Sequence, residues 1–111
     1  MRMRTSSVVG LVLGLACLGL AVSTAAADPA ALAKAAGCMK CHAVDKKIMG
    51  PSYQDVAAKY RGDKGAAKRL ASAVRDGSKG VWGKVPMMPM LPEQISDADL
   101  ATVIQWVLSQ K

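Results

Sequence analysis

The sequence predicts one small all-α domain, and two observations support this fold class. Near the end of the chain, Leu100, Val103 and Ile104 recur at intervals of three and four, which is typical of one apolar helix face. Asp28 followed by Pro29 is a typical helix start, because Asp caps the first turn and Pro suits its first position. The 111-residue chain contains no internal repeat and is long enough for a single small domain.

The first helix is expected over residues 29–37, with Leu32, Ala35 and Ala36 on its inward face. Gly37 closes this stretch. A glycine there either ends the helix or allows another backbone to approach closely, and we favour the close approach.

Three further helices are expected along the chain. Ser52 precedes Asp55 by three residues, which resembles a capping box and starts a helix that runs to about residue 60. A third helix is expected over residues 65–76, and Gly77 suits its end. The fourth helix starts at Ser96 and carries the apolar face described above to about residue 109.

Residues 1–27 are typical of a cleaved secretory signal peptide. Met1–Arg4 is basic, Val8–Leu20 is an apolar run shorter than a membrane span, and Ala25–Ala27 supplies a small-residue cleavage pattern. We therefore expect cleavage after Ala27, a domain over residues 28–111, a periplasmic location and no membrane insertion of the mature chain. The alternative is a retained membrane anchor.

The run Cys38-Met39-Lys40-Cys41-His42 is the attachment signature of a c-type haem. On a helical turn the two thiols lie on nearly one face, so they can form thioethers with the two vinyl groups at one porphyrin edge. His42 is then held beneath the iron and supplies the proximal nitrogen. We expect one haem c, attached covalently through Cys38 and Cys41.

Other uses of the cysteine pair fit less well. A redox dithiol would need a preceding strand in a βαβ unit, whereas an Ala-rich helix is expected before Cys38. A zinc site needs about four protein ligands, and the chain after residue 27 offers two Cys and one His. Because Cys17 lies in the apolar leader run, only Cys38 and Cys41 remain in the mature chain. The haem uses both, so no disulfide framework is expected.

The chain is basic, with a formal net charge of +7. Removing Arg2 and Arg4 leaves thirteen of the fifteen basic residues, which against eight acidic residues gives the mature chain +5. Export and the lack of a basic-aromatic motif argue against nucleic acid as a partner. The charge indicates either an acidic face on a redox partner or a generally soluble basic surface. The lysines near the haem-bearing segments are Lys40, Lys46, Lys47, Lys79 and Lys84.

Residues 77–92 have no helical period and are rich in Gly, Pro and Met. A loop of this length in a small domain is usually functional or disordered, and its Trp and Met content argues against disorder. A thioether suits low-spin haem iron and raises its reduction potential. One of Met87, Met88 and Met90 is therefore expected as the distal ligand, while the others fill gaps in the core.

Two further residues are candidates for the haem environment. Pro51 either turns its carbonyl toward the ring N–H of His42, which would fix the imidazole tautomer, or only makes a turn before the next helix. Trp82 either donates its indole N–H to a haem propionate or packs against the porphyrin.

Together these residues resemble a short class I monohaem cytochrome c of the bacterial c-551 type (also called c8). The resemblance extends over almost the whole chain after residue 27 and implies four helices around one haem, with the first and last helices crossing. The shared motifs are the Cys38–His42 run, Gly50-Pro51 with Tyr53, the run from Gly80 to Met87, and Trp106-Val107-Leu108.

The resemblance also implies a role for each matched residue. Met87 is the first Met after Trp-Gly-x-x-Pro, the place of the axial ligand in that family. The other implied roles are thioether attachment for Cys38 and Cys41, proximal ligation for His42, orientation of that histidine for Pro51, and a propionate contact for Trp82.

The chain departs from the family at the basic partner of the propionates. Members often carry a basic residue or His late in the third helix, where this sequence has Ala73. Arg69 and Arg75 are the candidates to replace it.

These features predict a one-electron carrier and not an enzyme. The iron would cycle between Fe(III) and Fe(II) with His42 and Met87 bound throughout. The resemblance suggests a bc1-type complex as donor and a nitrite reductase, a peroxidase or a terminal oxidase as acceptor, and we expect a monomer. The alternatives are a haem-based gas sensor or a peroxidase-like enzyme with a displaceable Met. The enzyme would need a distal acid or base, and His42 is the one histidine of the chain.

Overall fold

A computed structural model describes residues 10–21 and 27–111. The basic start of the predicted signal peptide and most of its cleavage pattern lie outside these residues. Residues 10–21 are exposed and form no helix or strand. Within the two described ranges, no helix combines the length and the apolar character that crossing a bilayer requires.

The predicted all-α fold is confirmed, with four α-helices and no strand in the described residues. The helices are α1 (Pro29–Ala35), α2 (Tyr53–Lys59), α3 (Ala66–Asp76) and α4 (Asp97–Leu108), with one 3₁₀ turn at Cys38–Lys40.

The capping residues explain where three helices begin. The Asp28 side chain accepts a hydrogen bond from the backbone N–H of Ala30, and Ser52 and Ser96 accept from the N–H groups of residues 55 and 99. Each bond satisfies one of the backbone donors that the first turn of a helix leaves free. The predicted starts of α1, α2 and α4 are therefore confirmed.

Helix α4 is the centre of the fold, because α1, α2 and α3 each pack against it. Its buried face consists of Leu100, Val103, Ile104 and Val107, as its spacing predicts. Helix α1 instead buries Ala33, which is fully inaccessible, and the prediction that Ala35 faces inward is wrong. The small Ala33 side chain allows α1 and α4 to approach closely.

Gly37 ends α1 by adopting a conformation that other residues rarely take. Its φ is +88°, and the nearest atom to an added Cβ would be the flexible Lys40 side chain at 3.9 Å. The predicted close approach of another backbone is therefore wrong. Glycine is needed here for the left-handed turn that leads from α1 into the cysteine-containing 3₁₀ turn.

Candidate haem site

A cavity of about 460 Å³ lies beside α4. Its walls are formed by α2, α3, the segment between α1 and α2, and the loop between α3 and α4. Its volume falls within the range typical of small-molecule and cofactor pockets. Apolar side chains such as Val56, Leu70 and Ile104 form much of its wall. The structure brings all the sequence-predicted site residues to this one cavity: Cys38, Cys41, His42, Pro51, Trp82 and Met87.

The two thiols stand on the 3₁₀ turn that follows Gly37. The backbone N–H groups of Cys41 and His42 both donate to the Cys38 carbonyl, at 3.2 and 3.0 Å, so the turn holds the three residues together. Both thiols are free and half-buried. Burial raises the pKa of the Cys38 thiol above its ordinary value, although a hydrogen bond with Tyr53 opposes the shift.

His42 is fixed by a backbone acceptor. Its Nδ1 lies 2.8 Å from the Pro51 carbonyl oxygen, and since a carbonyl can only accept, Nδ1 carries the proton. In a neutral imidazole with its proton on Nδ1, Nε2 carries the lone pair that binds a metal. Gly50 makes this contact possible, because a Cβ at that position would lie 2.5 Å from the imidazole Cε1.

Aromatic rings complete the surroundings of His42. The Tyr53 ring stacks on the imidazole with centroids 5.1 Å apart, and Trp106 meets Tyr53 edge-on at 5.5 Å. Burial raises the pKa of Tyr53 above its ordinary value, so its hydroxyl is protonated at neutral pH. Sequence reasoning placed Tyr53 in a motif but gave it no role.

The three candidate methionines differ in their surroundings. Met87 is half-buried at the cavity and is paired through its backbone with Ser78, with N···O distances of 3.1 and 2.8 Å. Met88 also touches the cavity but is 71% exposed. Met90 lines the cavity too, but it packs against the core, and its N–H donates to the Val74 carbonyl at 2.8 Å.

Trp82 lies half-buried at the cavity, with the Lys59 ammonium 5.4 Å from its ring centroid. This is within the range of a cation–π contact. Lys59 has no periodic or motif signal in the sequence, so only the folded chain reveals its position.

The two arginines proposed as propionate partners are engaged elsewhere, and neither lines the cavity. Arg69 pairs with Asp63. The Arg75 guanidinium binds the Asp97 carboxylate and two loop carbonyls. Neither of these two candidates therefore lies at the cavity, and a propionate contact from either of them stays a prediction. The basic residues that do line the cavity are Lys40 and Lys79.

The donor set fits a covalently attached haem. Two free thiols at the required spacing stand next to an oriented imidazole, and a thioether lies at the same largely apolar cavity. The described residues contain no cluster of three or more His, Cys, Asp or Glu side chains that could hold a metal ion alone.

Comparison with known proteins agrees with this assignment. The sequence model of the Cytochrome c family matches residues 26–111. The chain is 49% identical over 92 residues to cytochrome c-551 of Pseudomonas aeruginosa, covering 83% of this chain and 86% of that protein. It is 54% identical over 82 residues to cytochrome c2 of Rubrivivax gelatinosus, covering 74% of this chain and 96% of that protein.

Solved structures give the same result. The crystal structure of wild-type cytochrome c552 from Nitrosomonas europaea aligns with a TM-score of 0.68 and 44% identity, covering 74% of this chain and 99% of that one. We conclude that the chain belongs to the cytochrome c family and is a class I monohaem cytochrome of the c-551 type, with one covalently bound haem c.

Proposed function

We propose that this chain is a soluble periplasmic one-electron carrier with a His/Met-ligated haem. The observation that carries the proposal is the single cavity at which Cys38, Cys41, His42 and Met87 meet. Bound haem supplies an iron that gains or loses one electron between Fe(III) and Fe(II). The chain's own residues attach the group, ligate it and shield it from water.

Each attachment and ligand role has support in the geometry. The 3₁₀ turn presents Cys38 and Cys41 for thioether formation and places His42 directly after them. The Pro51 carbonyl holds the Nδ1 proton of His42, which leaves Nε2 for the iron and makes it more basic. Stacking on Tyr53 limits rotation of the imidazole.

Met87 is the distal ligand in this proposal. Its backbone is fixed by two hydrogen bonds to Ser78, and its side chain is half-buried at the cavity. Met88 is exposed, and Met90 is part of the core packing. With protein ligands on both sides there is no open position for a substrate, which favours a carrier over a peroxidase-like enzyme or a gas sensor.

The surface beside the cavity suits a brief encounter with an acidic redox protein. The exposed Lys40 and Lys79 line the cavity, and so do the exposed apolar side chains of Met49, Val81 and Val85. Opposite charges speed diffusional encounter, whereas a small apolar contact allows fast release. We propose a bc1-type complex as donor and a nitrite reductase, a peroxidase or a terminal oxidase as acceptor, with the carrier acting as a monomer.

The periplasmic location rests on the leader sequence. We propose that residues 1–27 direct export and are removed after Ala27, which leaves residues 28–111 as the mature domain. Sequencing the amino terminus of the secreted protein tests this step, and a terminus other than Asp28 would contradict it.

Optical spectra of the oxidised and reduced mature protein test the ligand set. We expect sharp low-spin bands when reduced, the weak far-red band of thioether-bound iron when oxidised, and no ready change with carbon monoxide. Met87→Ala should abolish the far-red band and lower the reduction potential. The matched variant Met88→Ala should change neither.

Two outcomes would overturn the proposal. Loss of the far-red band in Met88→Ala with its retention in Met87→Ala would show that the ligand assignment is wrong. A high-spin spectrum, or ready binding of carbon monoxide by the parent protein, would instead favour the gas-sensor or enzyme function.

A further inference from the structure

The loop between α3 and α4 has little regular structure of its own. From Gly77 to Ile95 it contains one isolated bridge, between Ser78 and Met87, and no helix. A bond from Met87 to the iron would require this loop to hold its shape. Contacts with the neighbouring helices must therefore supply the rigidity that the loop lacks.

Two contacts attach the loop to the end of α3, and one bridge joins two parts of the loop itself. The bridge is the paired Ser78–Met87 backbone, and the first contact is the hydrogen bond from the Met90 N–H to the Val74 carbonyl. The second contact is the side chain of Arg75, in the last turn of α3. It reaches the carbonyls of Met90 and Ile95, in the part of the loop that follows Met87.

The Arg75 guanidinium binds three residues at once, two in the loop and one at the start of α4. Its Nη1 donates to the Met90 carbonyl at 3.3 Å. Its Nη2 donates both to the Ile95 carbonyl and to Oδ1 of Asp97, each at 2.7 Å. Its Nε donates to the same Asp97 oxygen at 3.1 Å. The side chain is only 18% exposed, whereas that of Asp97 is 91% exposed. The two carbonyl contacts are thus the sheltered part of this network.

A guanidinium is suited to this role because its planar fork carries several donors in fixed directions. One flexible ammonium cannot reproduce contacts to two carbonyls and a carboxylate with the same geometry. If the guanidinium were removed, the carbonyls of Met90 and Ile95 would lose a sheltered charged donor. This part of the loop would then be held to α3 and α4 less firmly, by the Met90 N–H bond to Val74 and the buried Ile95 side chain.

We propose that Arg75 is a positioning residue that clamps the Met90–Ile95 part of the loop and thereby keeps Met87 on the iron. This inference rests on the proposed His42/Met87 ligation. Arg75 does not line the cavity, so it acts through the loop and not by touching the haem.

Arg69 offers a matched control on the same helix. It is also an arginine paired with an aspartate, but its side chain is 59% exposed and its partner, Asp63, lies in the loop before α3. Arg69→Gln removes the same charge from α3 as Arg75→Gln while leaving the Met87 loop untouched.

The test is competition for the distal position in the ferric holoprotein. Imidazole is added to the parent, Arg75→Gln and Arg69→Gln, and loss of the far-red thioether band is followed. Because a displaceable Met lets an external ligand bind, we expect about tenfold or greater tightening of apparent imidazole affinity in Arg75→Gln. Arg69→Gln should bind imidazole as the parent does.

A variant destabilised elsewhere separates positioning from general stability. Ala33→Gly weakens α1 without touching the loop or the cavity, so its imidazole affinity should stay at the parent value. If Arg75→Gln does not yield folded protein, Arg75→Lys is titrated instead, and it should show a smaller tightening in the same direction.

The outcomes separate this inference from the function on which it rests. Parent-like affinity in the folded arginine variant, or equal tightening in Ala33→Gly, would overturn the clamp while leaving the ligation intact. Absence of the far-red band in the parent, or its persistence in Met87→Ala, would overturn the ligation itself.

Discussion

At His42, orientation depends on one backbone oxygen and one missing side chain. The Pro51 carbonyl lies 2.8 Å from Nδ1, and the space that lets the chain pass beside the ring exists because residue 50 has no Cβ. The acceptor belongs to the backbone, so the pyrrolidine ring of Pro51 is not itself needed for the hydrogen bond. Any side chain at residue 50 would therefore collide with His42, whereas residue 51 needs only its backbone carbonyl.

Gly50→Ala should destabilise the ferric holoprotein by about 1–3 kcal/mol, as is usual when a methyl group is forced into a filled site. The added Cβ would lie 2.5 Å from the imidazole Cε1, so the ring or the loop must move. The free energy of unfolding is measured with denaturant, and the far-red band reports any loss of axial ligation.

Pro51→Ala is the control for this substitution. It keeps the carbonyl oxygen and should cost less than about 1 kcal/mol, chiefly through greater freedom of the unfolded chain. A larger loss for Pro51→Ala than for Gly50→Ala would contradict the steric explanation.

At the scale of the element, α2 shows how a cap positions a functional ring. Ser52 is buried, and its Oγ accepts from the Asp55 N–H at 3.0 Å. The helix that begins there carries Tyr53 as its first residue, and Tyr53 stacks on His42. The start of α2 thus determines where the aromatic neighbour of the imidazole lies.

Ser52→Ala should lower the free energy of unfolding by about 1 kcal/mol, which is typical of a lost helix cap. Ser72→Ala on α3 is the control, because Ser72 is exposed and lies mid-helix, and its effect should stay within about 0.5 kcal/mol. Chemical denaturation of the two variants measures the difference. Equal losses in both would show that the Ser52 bond contributes nothing specific.

The elements that the sequence predicts well are those set by neighbouring residues. Caps, glycine stops and the apolar spacing of α4 are local, so the helix positions follow from short stretches of chain. Which alanine of α1 faces inward depends on α4, and Ala33 is buried where Ala35 was expected. Arg75 was one of two candidates for a propionate contact, but Asp97 and two loop carbonyls hold it, and no local pattern encodes these distant contacts.

At the scale of the molecule, the described residues contain no large side chain that is completely buried. The apolar residues of α2, α3 and α4 instead face the cavity. A domain of this size buries little surface for its length, so a covalently held group in the cavity would supply much of the missing core.

A chain that cannot attach haem should not fold stably. With cavity costs of about 24 cal/mol per Å³, a vacant volume of about 460 Å³ corresponds to an upper bound of about 11 kcal/mol. Native domains have only about 5–15 kcal/mol of stability in total. The double variant Cys38→Ala, Cys41→Ala should therefore lose most of its helical circular dichroism at 25 °C, and a cooperative, parent-like thermal transition would contradict this.

Charge also acts at the scale of the molecule, but its effect on encounter depends on where each charge lies. Lys79 lines the cavity, whereas Lys111 is an exposed terminal residue that does not. Reversing a charge about 10 Å from a singly charged anionic reagent costs about 0.8 kcal/mol in water, or about fourfold in rate.

Lys79→Glu should therefore slow electron exchange with such a reagent about fourfold at low salt, and Lys111→Glu clearly less. Stopped-flow rates at increasing ionic strength test this, because the screening length falls from about 10 Å at 0.1 M to about 3 Å at 1 M and the difference should vanish. Both variants change the net charge equally, so only the position of the charge distinguishes them. Equal slowing would mean that the whole molecule's charge steers the encounter, and the lysines beside the cavity would then have no special part in it.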